Sequence, residues 1–201
     1  MVPAEHPSGQ EDEMPTGRFL LRTTLGTLML GHGLQKLNGS FGGAGLEATE
    51  QAMGALGLHP AKHQARAAAL SETVGGGLTA LGFLSPLGPA MIAGTMVVAI
   101  QKVHAKNGVW ISDGGFEYNA LIIAAALTLA AQGPGPASLD GLLRKERSGP
   151  KWGVLALVMG VAGAATTLAV ANRFRPDDGP GADDGVGSAD PSEPAPVPSI
   201  D

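Results

Sequence analysis

The chain has 201 residues, of which 44% are hydrophobic and only 15% are charged, and it contains no cysteine. The absence of cysteine excludes a disulfide framework, a thiolate nucleophile, and zinc or iron–sulfur sites held by cysteine. The formal net charge is −5, but residues 16–175 hold 13 basic and 7 acidic residues. Such a dilute basic excess argues against a nucleic-acid-binding protein, which needs a dense basic face.

The first element in chain order is a leader, residues 1–16, with four acidic residues and no hydrophobic periodicity. We predict that this leader is disordered, because it has too few bulky apolar residues to offset the entropy lost on ordering. Its acidic character also argues against a secretory signal peptide, whose first residues are basic.

Five apolar segments follow the leader, at residues 17–37, 66–85, 86–105, 117–132 and 152–172. Most are close to the roughly 20 helical residues needed to cross about 30 Å of hydrocarbon. They predict an all-α, multi-pass membrane protein: a four-helix transmembrane bundle over residues 17–140 and one additional C-terminal transmembrane helix. A soluble bundle with unusually apolar helices is the less favoured alternative, because only short tracts interrupt the apolar pattern.

The first of these helices carries its ionisable residues on one face. At 100° per residue they fall within an arc of about 80°; they are Arg18, Arg22, His32 and Lys36. Ionisable groups within a membrane span are costly and normally face protein or water. We therefore expect this face to point into the bundle.

The second helix contains one central carboxylate, Glu72. Its neighbours one and two turns away are small: Ala68, Gly75, Gly76 and Thr79. A stripe of small residues lets another helix approach closely, so Glu72 is expected to face a neighbouring helix and to be either paired or protonated. Lys36 and His32 are the expected partners, and His104 is the next candidate.

Consecutive helices alternate in direction, and this brings five ionisable residues from four helices to the same depth in the bundle. This candidate polar cluster consists of His32, Lys36, Glu72, His104 and Glu117. Two structural alternatives stay open: Glu72 and Lys36 form an ion pair that only fixes helix register, and Lys102 and Lys106 extend to the lipid headgroups. No metal site is predicted, because the cluster lacks the spacing of a metal-binding motif.

A basic loop, residues 141–151, precedes the fifth apolar segment, and a Pro-, Gly- and Asp-rich tail, residues 173–201, is predicted to be disordered. The fifth helix has no ionisable residue and carries a small-residue stripe, Ala156, Gly160 and Ala164. We predict that this stripe packs on a partner protein or a second copy and does not complete the site. Five spans place the termini on opposite sides, and the basic loop favours a cytoplasmic N-terminus once the cations near the cluster are set aside.

Short glycine-rich motifs flank the helix ends in a fixed order. They are HGLQKL at 32–37, ETVGGG at 72–77, LGFL at 81–84, VHAKNG at 103–108, GGFEYN at 114–119 and GPGPASLD at 133–140. Taken together, they resemble the DoxX family of small four-helix bacterial membrane proteins over about residues 17–140. Besides the polar cluster, the residues that carry the resemblance are Gly33, Gly76, Gly82, Asn107, Gly108, Tyr118, Asn119, Gly133, Gly135 and Asp140.

The resemblance implies a membrane bundle linked to respiratory or sulfur redox chemistry, since the family's name comes from a subunit of a thiosulfate:quinone oxidoreductase. It also implies a membrane quinone as the cofactor. The fifth helix and the tail depart from the family pattern, and a chain without cysteine, haem motif or flavin motif is not expected to perform thiosulfate chemistry alone. We therefore expect a multi-pass protein of the cell membrane that supports a quinone-linked redox system, as a subunit or accessory protein.

Two other classes of function fit the same residues. One is a non-enzymatic scaffold or assembly protein whose small-residue faces bind a partner. The other is a small transporter or proton path through the His, Glu and Lys side chains of the cluster.

Overall fold

The computed structural model describes residues 16–176, and all regular structure in this range is helical. The long helices are α1 (Thr16–Asn38), α3 (Ala61–Leu81), α4 (Leu87–Ala99), α5 (Glu117–Gln132) and α7 (Pro150–Arg173). Two short helices, α2 (Gly45–Ala55) and α6 (Leu139–Leu142), lie in the connections, and a π-helical turn, Ile100–His104, extends α4. The predicted disordered segments lie outside the described residues except at their edges, since α1 already begins at Thr16 and α7 ends at Arg173.

Four of the long helices form a ring in chain order. Helix α1 packs against α3, α3 against α4, α4 against α5, and α5 returns to α1. Helix α7 packs on the outside of this ring against α4 and α5, and α2 lies against α1 and α3. The apolar core of the ring is centred on residues from three of its helices: Leu25, Met29, Ile92, Met96, Ile122, Ala126 and Leu129.

The long helices alternate in direction. At the end where α1 begins, which we call end one, Arg22 donates a hydrogen bond to the carbonyl of Ala137, beyond the last turn of α5. At the opposite end, end two, Gln64 near the start of α3 donates to the carbonyl of Thr167 near the end of α7. Helices α1 and α7 therefore begin at the same end, and the described chain starts and finishes at opposite ends.

Glycines set the close approach between α1 and α3. A Cβ atom added to Gly33 would lie 2.3 Å from the backbone nitrogen of Thr73, and one added to Gly76 would lie 2.3 Å from that of Leu30. The backbones therefore touch at these positions, which only a residue without a side chain allows. This contact explains two of the residues that carry the family resemblance.

The small-residue stripe of α7 is occupied within the chain. Ala156 and Ala164 are buried, and a Cβ atom added to Gly160 would lie 2.9 Å from the carbonyl oxygen of Ala90 on α4. The prediction that these three residues contact a partner or a second copy is therefore wrong. A stripe of small residues permits close packing without specifying which helix fills it, and here α4 does.

One helix of residues 16–176, α7, is both long and apolar enough to cross a membrane. Helix α5 has 16 residues and α4 has 13 before its π-helical turn, so both are shorter than a regular span. Helices α1 and α3 have 23 and 21 residues, but each carries several ionisable side chains. By length and composition the described residues therefore support one span, and the multi-pass topology expected from the sequence stays a prediction.

Candidate functional site

A cavity of about 590 Å³ lies towards end two, where helices α1, α3, α4, α5 and α7 all contribute to its wall. Its volume falls within the range of small-molecule binding sites. Most of its wall is apolar, and its ionisable and amide-bearing side chains are His32, Lys36, Gln64, Glu72, Lys102, His104, Tyr118 and Asn119. Four of the five members of the predicted polar cluster therefore line one cavity.

Glu72 pairs with Lys36 across the interface between α1 and α3. The pair forms because Gly33, one turn before Lys36, brings α1 into backbone contact with α3. The Glu72 side chain is 7% exposed and that of Lys36 is 31% exposed, so the carboxylate lies inside and the ammonium group reaches outward. His32, the other expected partner, is exposed on the cavity wall and bonds to no residue of the described range.

The π-helical turn at the end of α4 directs three consecutive residues, Lys102, Val103 and His104, towards the cavity. Turns of this kind inside helices occur frequently at functional sites. The Nδ1 atom of His104 lies 2.8 Å from the carbonyl oxygen of Gly114. A carbonyl only accepts hydrogen bonds, so Nδ1 carries the hydrogen and Nε2 is left available to the cavity.

The structure does not bring Glu117 to the cavity. Its carboxylate accepts a hydrogen bond of 3.0 Å from the backbone nitrogen of Ile111 and so fixes the loop between α4 and α5. The next two residues line the cavity instead. Tyr118 is half-exposed, and Asn119 is buried with its side-chain nitrogen 3.4 Å from the sulfur of Met96.

The remaining residues of the sequence motifs mostly shape the loops. Asp140 is buried at end one, where its carboxylate accepts hydrogen bonds from the backbone nitrogens of Leu84 and Ser85 at 3.1 and 2.9 Å. Asn107 donates to the carbonyl of Gly114. The motif glycines in loops share a positive φ, which favours glycine because it has no Cβ; they are Gly82, Gly108, Gly133 and Gly135.

The comparison with protein families covers the motifs at 32–37, 72–77 and 81–84 but not those at 114–119 and 133–140. The family model described as DoxX matches residues 17–105, from the start of α1 to the end of the π-helical turn. This match spans a little under half of the chain and supports membership of the DoxX family. Neither the curated proteins nor the solved structures include a match. DoxX proteins are membrane proteins, which indicates a lipid bilayer environment for this chain.

The polar face predicted for α1 divides between the two ends. Arg18 donates to the carbonyl of Gln132 at 2.9 Å, and Arg22 donates to that of Ala137 at 2.6 Å. Both arginines therefore join α1 to the end of α5 at end one. His32 and Lys36, about three to five turns further on, line the cavity.

Sequence reasoning missed most of the apolar wall. All five methionines of the described residues line the cavity, and they come from α1, α2, α4 and α7: Met29, Met53, Met91, Met96 and Met159. Methionine is flexible and polarizable, and it is common on surfaces that adapt to varied ligands. Because these methionines are spread over four helices, they form no periodic pattern in the sequence that could have predicted the wall.

Helix α7 supplies one side of the cavity through Met159, Gly163 and Thr167. This helix lies outside the matched DoxX segment. The expectation that it does not complete the site is therefore wrong, because the helix is held against α4 by the small-residue stripe.

Proposed function

We propose that this DoxX protein is a multi-pass membrane protein that binds a quinone in the end-two cavity and supports a membrane redox system as a subunit or accessory protein. The observation that carries the proposal is one cavity with apolar walls and a cluster of cationic and hydrogen-bond-donating groups. A membrane quinone has the matching construction, since an apolar tail is joined to a ring with two carbonyl acceptors.

The donor groups fit the headgroup of such a ligand. Lys102 and Tyr118 line the cavity and have no hydrogen-bond partner among residues 16–176. We assign them to the two quinone carbonyl oxygens, with His32 beside them and the Lys36 ammonium group held by Glu72. When bound, a quinone supplies the capacity to take up two electrons and two protons. The protein side chains bind and orient the ring, and a partner protein of the redox system supplies the electrons.

The outer surface of the bundle supports several membrane spans. Large apolar side chains are exposed on four of the five long helices, among them Leu28 on α1, Val74 on α3, Leu121 on α5 and Val158 on α7. Helix α4, the shortest, is largely surrounded by its neighbours and does not need a lipid-facing surface of its own. We propose that all five long helices lie in the bilayer.

We further propose that the N-terminus is cytoplasmic. End one holds six basic residues and end two holds seven; setting aside Lys36 and Lys102, which line the cavity, leaves six against five. Exposed loop cations set membrane orientation, and cations committed to a site contribute less to it.

A binding measurement tests the quinone site. Purified protein, in a lipid-free amphiphilic polymer, is titrated with a decyl-substituted benzoquinone. We expect Lys102→Gln to weaken binding at least tenfold, because a charged hydrogen bond contributes roughly 1.5–3 kcal/mol. Lys106→Gln is the matched control, since Lys106 is exposed and does not line the cavity. Equal affinities of the two variants would overturn the assignment of Lys102, and absence of binding by the unmodified protein would overturn the quinone site.

A further inference from the structure

The cavity has an outer part between α3, α4 and α7 that the headgroup does not fill. We infer that this outer part is a groove for the alkyl or isoprenoid tail of an amphiphilic ligand, and that α7 determines whether a long-tailed ligand is retained. The inference rests on the proposed function for the headgroup, but it concerns different residues and is tested separately.

The packing of the helices creates the groove. Helices α3 and α7 both pack on α4 and have little direct contact with each other, so α4 forms the floor and the other two form the walls. A Cβ atom added to Gly94 would lie 2.9 Å from the carbonyl oxygen of Gly160. This close contact packs α7 directly on α4, the floor of the groove. Ser71 on α3 and Gly163 on α7 line opposite walls.

One end of the groove is closed and its outer side is open. At end two, the hydrogen bond of 3.2 Å from Gln64 to Thr167 bridges the two walls, and the buried Leu58 lies beside it. Gly163 is exposed, and a Cβ atom added there would meet no other atom within 4 Å. The groove therefore opens sideways, through the surface that we place in the bilayer, which is where a lipid-soluble tail comes from.

The lining suits a flexible apolar chain. Met91 lies on the floor and Met159 on the α7 wall, while Met29 and Met96 lie further in, among the core residues of the ring. Unbranched thioether side chains adapt to an irregular or mobile apolar partner better than branched ones do. Because headgroup donors and methionines line one continuous cavity, a single amphiphile spans both parts.

The test uses a substitution that fills the groove without disturbing the fold. Gly163→Leu places a side chain in open space on a helix, where leucine is also the better helix former. Gly31→Leu on α1 is the matched control, because its added Cβ also meets no atom within 4 Å and Gly31 does not line the cavity. Both variants are compared with the unmodified protein for binding of a decyl-substituted benzoquinone, the corresponding methyl-substituted benzoquinone, and decyl phosphate.

We expect Gly163→Leu to weaken binding of the decyl quinone at least tenfold, the loss that follows when about two methylene groups are kept out of the groove. Binding of the methyl quinone is expected to change less than twofold, and Gly31→Leu is expected to leave both unchanged. Equal sensitivity of the two quinones, or no effect of Gly163→Leu on the decyl quinone, would overturn the tail groove. Binding of decyl phosphate with the same Gly163 dependence, without quinone binding, would support the groove and overturn the quinone headgroup.

Methionine methyl groups give a second readout that does not depend on affinity. With carbon-13 in these methyls, the decyl quinone is expected to shift the Met91 and Met159 resonances, whereas the methyl quinone shifts only the inner ones. Met1 and Met14 of the leader serve as internal controls. Unchanged Met91 and Met159 resonances at saturation with the decyl quinone would place the tail elsewhere and overturn the inference.

Discussion

The ion pair between Lys36 and Glu72 leads to a prediction about the order of two stability losses. Removing one partner of an ion pair leaves the other charge uncompensated, and the cost depends on how far that charge is from water. Lys36→Met leaves the carboxylate of Glu72, which is 7% exposed and has no other hydrogen-bond partner among the described residues. Glu72→Gln leaves the ammonium group of Lys36, which is 31% exposed.

The two costs can be worked out from these exposures. A buried uncompensated charge costs about 3–5 kcal/mol, so Lys36→Met is expected to lower the free energy of unfolding by about 3 kcal/mol. A partly exposed lysine keeps much of its hydration, so Glu72→Gln is expected to cost about 1 kcal/mol. For a protein of this size, each kcal/mol lowers the melting temperature by about 2–4 °C. We therefore expect the melting temperature to fall about three times as far for Lys36→Met.

Thermal unfolding of the purified variants in one detergent measures the difference. The double variant Lys36→Met/Glu72→Leu is the control, because it removes both charges and leaves neither uncompensated; its stability is expected to lie close to that of the unmodified protein. A loss for Glu72→Gln that equals or exceeds the loss for Lys36→Met would refute the reasoning, since it would mean that Lys36 and not Glu72 is the buried charge.

Three further predictions follow from packing, hydrogen bonding and topology. Gly160→Ile is expected to lower the free energy of unfolding by about 1–3 kcal/mol, because the new side chain collides with α4. Gly163→Ile is the control and is expected to be tolerated, because its side chain meets open space. Thermal unfolding compares the two variants, and equal losses of stability would contradict the packing of α7. Asp140→Asn is expected to cost about 1–3 kcal/mol, because each carboxylate oxygen accepts from one backbone nitrogen and the amide replaces one of these oxygens with an NH2 donor. The exposed Asp113→Asn is its control, and an unchanged melting temperature for both variants would show that the two bonds contribute nothing. Reporter domains fused before Thr16 and at the C-terminus are expected on opposite faces of the membrane, with the N-terminal one cytoplasmic; reporters on one face would contradict a five-span topology.

The order and helical character of the long elements could be predicted from the sequence, because they depend on local hydrophobic runs. The segments predicted at 17–37, 117–132 and 152–172 agree closely with α1, α5 and α7. The second segment was predicted to begin at 66, but α3 begins at Ala61, because charged residues in its first turns form a helix as readily as apolar ones do. Helix α2 has no long apolar run and was not predicted.

The site was partly predictable, because depth in a bundle follows from chain topology but lateral direction does not. Lys36 and Glu72 meet because Gly33 lets two backbones touch, and the sequence signals of both the charge pair and the small residue were visible. Glu117 lies at the expected depth but turns towards the loop before α5. The direction of the Glu117 side chain depends on the backbone nitrogen of Ile111, and a backbone partner cannot be predicted from a pattern of side chains.

Polar groups are used differently at the two ends of the bundle, and the donors that face the cavity make end two suited to ligand binding. At end one, Arg18, Arg22 and Asp140 all bond to backbone groups at or beyond helix ends and so join the helices, although Nε and Nη1 of Arg22 are buried without a hydrogen-bond partner. At end two, Lys102 and Tyr118 line a cavity with no partner in the described part of the chain. Polar groups facing a largely apolar cavity without partners are costly unless water or a ligand satisfies them. The donors that face the cavity at end two are therefore available to a ligand, beside the groove where α3 and α7 leave α4 open to the side.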